Sequence, residues 1–213
     1  MRLTTCATDL QDAVSASLDA RLLTTADHPV AIGLSGGGDS LALLLFARAW
    51  AARHDRRLLV LTVDHQLQPQ SRDWTQACAG LAERLGHAFM ALAWTGEKPT
   101  HGLPAAARAA RHRLLAEAAR DKGARVILLG HTADDVAEAR AMRAVGSTTP
   151  DPREWSPSPA WPQGRGIFLL RPMLPLRRND LRRWLASQGE GWIDDPANSD
   201  LAFARPRARA QMN

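Results

Sequence analysis

AIGLSGGGDSLALLL, residues 31–45, runs from apolar, β-prone residues through three consecutive glycines into a leucine-rich run. A strand that meets a glycine turn and at once a helix is half of a βαβ unit. The alternation continues outward. Residues 30–34, 58–63, 89–94 and 126–129 read as strands, and 40–53, 71–85, 103–122 and 134–145 read as the helices between them. Leu10, Val14, Leu18 and Leu22 recur every four residues and form an amphipathic helix in front, while residues 167–170 make a fifth strand. RRNDLRRWLASQG supplies a last short helix, with Leu181 and Leu185 on one face and Gly189 as its stop. Strands alternating with helices predict an α/β fold, doubly wound, with a mostly parallel five-stranded sheet and helices on both faces.

A chain of 213 residues has room for one main domain. Its expected core spans about 28–145, followed by a Pro/Trp-rich loop at 146–166 and a basic segment at 167–213. The loop, GSTTPDPREWSPSPAWPQGRG, carries five prolines and reads as a long surface connection. Trp155 and Trp161 are expected to pin it to the body rather than to stack on bases. The longest apolar run, 41–47, is far short of the roughly 20 residues that cross a bilayer, and MRLTTCATDLQDAV has none of the regions of an export signal. The expectation is a cytoplasmic protein with no membrane partner. Cys6 and Cys78 form no CxxC pair, which argues against a disulfide framework, structural zinc or an iron–sulfur site.

Residues 1–139 balance 15 Lys/Arg against 15 Asp/Glu, whereas residues 140–213 hold 12 arginines against 7 acids, so the whole net charge of +5 lies there. After Asp200 only Arg205, Arg207 and Arg209 are charged. Such asymmetry points to a polyanion, because the arginine fork pairs with phosphates; a solvated basic tail is the alternative.

Polar clusters fall at three strand ends: SGGGDS (35–40), VDH (63–65) and GHTADDVAE (130–138). In an open α/β sheet, ligands bind at the carboxyl edge of the strands. Glycines free the backbone to aim successive N–H groups at an anion at the helix N-terminus. Each cluster also has a structural explanation: Asp39 or Ser40 as a helix cap, Asp64 as a turn cap, and Thr132 with Asp135 as a capping box.

The ordered set resembles one family. SGGGDS matches the SGGxDS motif of the PP-loop ATP pyrophosphatases, whose fold is of the adenine nucleotide alpha hydrolase type. The companion segments are similar to one branch, the tRNA(Ile)-lysidine synthetases: VDHQLQPQS to VDHxLRxxS, ARAARH to ARxxRY, GHTADDVAE to GHxxDDxxET, LLRPML to LLRPLL, and WIDDPANSDLAFAR to W-x-[ED]-D-x-[ST]-N. The likeness runs from about Val30 to Arg209.

The resemblance implies that ATP adenylates C2–O of the wobble cytidine of an isoleucine tRNA with a CAU anticodon, and that free L-lysine then displaces AMP. ATP and Mg²⁺ are the implied cofactors. On this likeness Ser35, Gly36, Gly37, Gly38, Asp39 and Ser40 hold the pyrophosphate, with Asp39 as the metal carboxylate. Asp135 and Glu138 suit the cationic lysine, Arg108 neutralises phosphate or the activated base, and Asp64 and His131 stand beside the nucleotide. Gln66 and Gln68 replace the usual glycine and arginine, His112 replaces tyrosine, Ala139 threonine, Ala197 a hydroxyl residue and Pro206 asparagine. The usual C-terminal tRNA-binding domains are missing from the 213 residues. The alternatives are a catalytically weakened nucleotide- or tRNA-binding paralogue, a fragment, or another PP-loop tRNA-modifying enzyme.

Overall fold

Helix α1 (Ala7–Arg21) precedes four βα units: β1 (Val30–Gly33), α2 (Gly38–Arg53), β2 (Leu58–Asp64), α3 (Ser71–Arg84), β3 (Ala88–Ala93), α4 (Leu103–Asp121), β4 (Val126–Leu128), α5 (Ala133–Ala144), then β5 (Trp155–Pro157), β6 (Phe168–Leu170) and α6 (Arg178–Ser187). These elements come from a computed structural model that describes residues 7–147 and 150–194. Cys6, Ala197, Pro206 and the arginines after Asp200 lie outside the described residues.

The sheet order is β3-β2-β1-β4-β6-β5. β1 pairs in parallel with β2 on one side, Val30 opposite Leu58, and with β4 on the other, Ala31 opposite Ile127. Chain order therefore reverses at the β1/β4 boundary, where an open sheet leaves a crevice at its carboxyl edge. Alternation along the strands sorts the apolar residues into two layers. Ile32 and Val60 pack with Leu10, Val14, Phe46 and Trp50 under α1, α2 and α6, while Ala31, Leu59 and Leu61 pack with Leu115, Ala119 and Ile127 under α4. The Trp50 indole N–H donates to Asp19 Oδ1 at 2.6 Å and ties α1 to α2, and Phe46 stacks on Trp184 at 4.2 Å to seat α6 on α2.

Among the described residues the sheet has six strands rather than five. β5 lies inside the stretch expected to be an irregular loop and pairs antiparallel with β6, Ser156 opposite Leu169. Its Trp-Ser-Pro sequence shows no alternation to betray a strand, and proline is tolerated because β5 is at the sheet edge. Trp155 does pin this stretch, stacking on Phe168 at 5.0 Å. Trp161 does not: it is 76 % exposed, so the pinning expected of it is corrected. Cys78 is a free, buried thiol. Among the described residues no helix is long and apolar enough to cross a membrane.

Candidate active site

The glycine loop joins β1 to α2 at the switch point. Gly36 takes φ +81°, a conformation that disfavours any residue with a Cβ, and α2 begins two residues later. The Ser40 hydroxyl donates to Gly37 O at 2.9 Å and accepts the Ser35 N–H at 3.2 Å, and the Ser35 and Ser40 hydroxyls lie 3.1 Å apart. Two serines thus lock the turn, and the Ser35 amide is used within it.

The chain itself fills part of the room the glycines leave. Ile193 N–H donates to Gly36 O at 3.0 Å, and a Cβ at Gly36 would stand 2.5 Å from Ile193 Cδ1. A Cβ at Gly38 would sit 3.4 Å from the Trp192 ring. Gly37 differs: its backbone is extended, and the nearest atom to a Cβ there is Ser35 Oγ at 3.6 Å. A Cβ at Gly37 would make only ordinary van der Waals contacts, so this is the least crowded glycine of the turn, at the N-terminus of α2, where a phosphate would approach.

GHTADD is drawn against this turn by Gly130, where a Cβ would meet Asp39 O at 2.9 Å and Ser40 Cα at 3.1 Å. Three carboxylates consequently gather. Asp39 comes from the first turn of α2, and Asp135 and Glu138 come from one face of α5. Asp135 closes a capping box: its Oδ2 accepts the Thr132 N–H at 2.8 Å and the Thr132 hydroxyl at 3.0 Å. The structural explanation of Asp135 therefore holds, yet the same oxygen also faces the cluster. Glu138 is 1 % exposed.

One guanidinium sits among the three. Arg178, the first residue of α6, donates from Nε to Asp39 Oδ2 at 2.8 Å and from Nη1 to Glu138 Oε1 at 2.9 Å, with Nη2 3.4 Å from Asp135 Oδ2. Its own N–H donates to Asp134 Oδ2 at 2.8 Å. Sequence reading missed this residue, since RRND read only as the start of a helix. The available signal was a cation in a first helical turn, where the helix dipole repels it.

Burial lifts the Asp39 carboxyl above its ordinary pKa and the Asp135 charge adds to this, while the hydrogen bond and charge of Arg178 oppose both. Burial alone would weaken the base strength of Arg178, but the hydrogen bonds to Asp39 and Glu138 and the Asp135 charge raise its pKa above the ordinary value. Asp39 Oδ1 is buried with no hydrogen-bond partner among the described residues. An orphaned carboxylate oxygen beside a glycine turn fits Mg²⁺, which is typically held by one or two carboxylates plus substrate phosphates.

The remaining expected residues spread along the same edge. Asp64 ends β2, and its Oδ1 accepts the Gln66 N–H at 2.8 Å, so it caps a turn in which Gln66 takes φ +54°. The glycine usual at that position in the resembled family would adopt this conformation freely. His131 is buried next to Thr132. Arg108 stands on α4 near buried His112 and Arg171. Burial first, then the charges of Arg111, Arg108 and Arg171, push the His112 imidazole down to about 3, so it is neutral. Burial and Arg108 lower Arg171 to about 10; its Nη1 donates to Arg153 O at 2.7 Å and Ser156 Oγ at 3.1 Å. A groove of about 440 Å³ lies on the opposite face of α5, lined by Ala133, Val136, Ala137, Arg140, Leu174 and Arg177, away from the three carboxylates.

The family model of the PP-loop domain matches residues 7–213. A tRNA(Ile)-lysidine synthase of Caulobacter vibrioides is 58 % identical over 199 residues, 93 % of this chain and 49 % of that protein. Its namesake in Hyphomonas neptunium is 44 % identical over 93 % of this chain and 53 % of its own length. The chain thus spans about half the length of these curated relatives. Among solved structures, the U34-tRNA thiolase NcsA of Methanococcus maripaludis, with its [4Fe-4S] cluster, superposes at a TM-score of 0.79 with 17 % identity, over 96 % of this chain and 71 % of that one. NMN synthetase of Francisella tularensis reaches 0.63 at 11 % identity, over 97 % and 86 %. At those identities the two structures speak for the fold alone.

Proposed function

Because the chain belongs to the PP-loop domain family, we propose that it is the catalytic part of a tRNA(Ile)-lysidine synthetase, joining free L-lysine to C2 of the wobble cytidine of tRNA(Ile) at the expense of ATP. The observation that carries this reading is the convergence of Asp39, Asp135 and Glu138 on Arg178 beside the glycine turn at the N-terminus of α2.

In the first half-reaction C2–O of the cytidine attacks the α-phosphorus, the bond to the β-phosphate oxygen breaks, and pyrophosphate leaves. The loop at 35–40 orients the triphosphate through its backbone, and Asp39 would hold Mg²⁺ through Oδ1, a reading supported by that oxygen's burial without a hydrogen-bond partner among the described residues. Mg²⁺, when bound, draws charge off the departing pyrophosphate. Asp64 and His131 border the nucleotide. In the second half-reaction the lysine amine, having passed its proton to Asp135 or Glu138, forms the bond to C2 while the C2–O bond breaks and AMP leaves. Asp135 and Glu138 attract the cationic amino acid, and Arg108 balances charge on phosphate or the activated base.

The test is direct: incubate the protein with ATP, Mg²⁺, radiolabelled lysine and bulk bacterial tRNA. ATP-dependent label in RNA is the expected result. No label and no AMP release would overturn catalysis by this chain. ATP binding without turnover would select the binding paralogue instead.

A further inference from the structure

We propose that Arg178 is a positioning residue that couples the two halves of the site: through Nε it holds Asp39 and through Nη1 it holds Glu138, so a change at one carboxylate alters the charge offered to an ammonium group at the other. The inference rests on the reading of Glu138 as a lysine-binding residue.

Three features carry it. The guanidinium is 13 % exposed, so its contacts are poorly screened by water. It is fixed at both ends: the backbone N–H is clamped by Asp134, and α6 is fastened to α2 by the buried Leu181 and Leu185 and by the Phe46–Trp184 stack. It also begins a helix, where the dipole disfavours a cation, and is kept there by the acids in front of it. One positive charge is shared between Asp39, on the proposed metal side, and Glu138 and Asp135, on the proposed lysine side. When Asp39 loses its charge, Arg178 neutralises the other two more fully, and their pull on an incoming ammonium group falls. Arg178→Lys would keep the charge but lose the planar fork that spans both carboxylates.

The experiment is a double-mutant cycle read by calorimetric titration of free L-lysine into the 213-residue chain, without nucleotide. With Arg178 present, Asp39→Asn is expected to weaken lysine binding by about fivefold or more, and in an Arg178→Lys background by less than about twofold. Thermal unfolding of each variant checks that the fold persists. If Arg178→Lys does not fold, Asp134→Ala, which frees the backbone of Arg178 while keeping its guanidinium, is expected to shrink the effect of Asp39→Asn in the same way. Equal losses in both backgrounds would show a direct charge effect of Asp39 and overturn the coupling. A wild-type chain that binds no lysine would overturn the functional reading, and the coupling with it.

Discussion

His112 shows how a single residue links burial to pH. It is 3 % exposed, neither ring nitrogen has a hydrogen-bond partner among the described residues, and the arginines around it oppose protonation. Its folded pKa of about 3 lies below the unfolded value of 6.5, so between these values the unfolded chain binds the extra proton and stability falls as the pH drops. By pH 4 the loss is on the order of 3 kcal/mol. Urea unfolding at pH 7 and pH 4 should record it, and His112→Phe should flatten the dependence without destabilising the chain at pH 7. At Asp39 the expectation is functional: Asp39→Asn abolishes ATP-dependent pyrophosphate release while the thermal midpoint is kept. Gln66, held at φ +54°, gives a third expectation. Gln66→Gly should stabilise by about 0.5–1 kcal/mol in the same unfolding assay.

At the scale of elements, the two tryptophans of the 150–166 stretch separate. Trp155→Ala removes the stack on Phe168 and should cost about 1–3 kcal/mol, whereas Trp161→Ala should stay within about 0.5 kcal/mol of the wild type. Denaturant midpoints distinguish them. The same contrast explains what the sequence made legible. The four βα units announce themselves because each strand and helix buries a face, and burial leaves a period in the residues. β5 has no such period; three residues become a strand only because β6 offers an edge. The three strand-end clusters were legible as one site because parallel strands deliver their carboxyl ends to a common edge. Arg178 was not, since it arrives from α6, and nothing local to RRND reveals that Asp39 and Glu138 stand in front of it.

Over the whole molecule, the site depends on backbones meeting closely. At Gly130 the obstruction to a Cβ is the main chain of Asp39 and Ser40, which no side-chain rotation relieves. Gly130→Ala is expected to destabilise by about 1–3 kcal/mol, read by denaturant unfolding, and to impair ATP turnover beyond that loss because it pushes Asp39 aside. Gly36 meets a partner from the far end of the described chain, Ile193, which bonds to its carbonyl and occupies the place of its missing side chain. During synthesis the glycine turn therefore leaves the ribosome well before Ile193, and its floor is laid only once that residue has followed. A nascent or proteolytically clipped chain ending before Trp192 would carry every residue of SGGGDS and still lack the surface that shapes it.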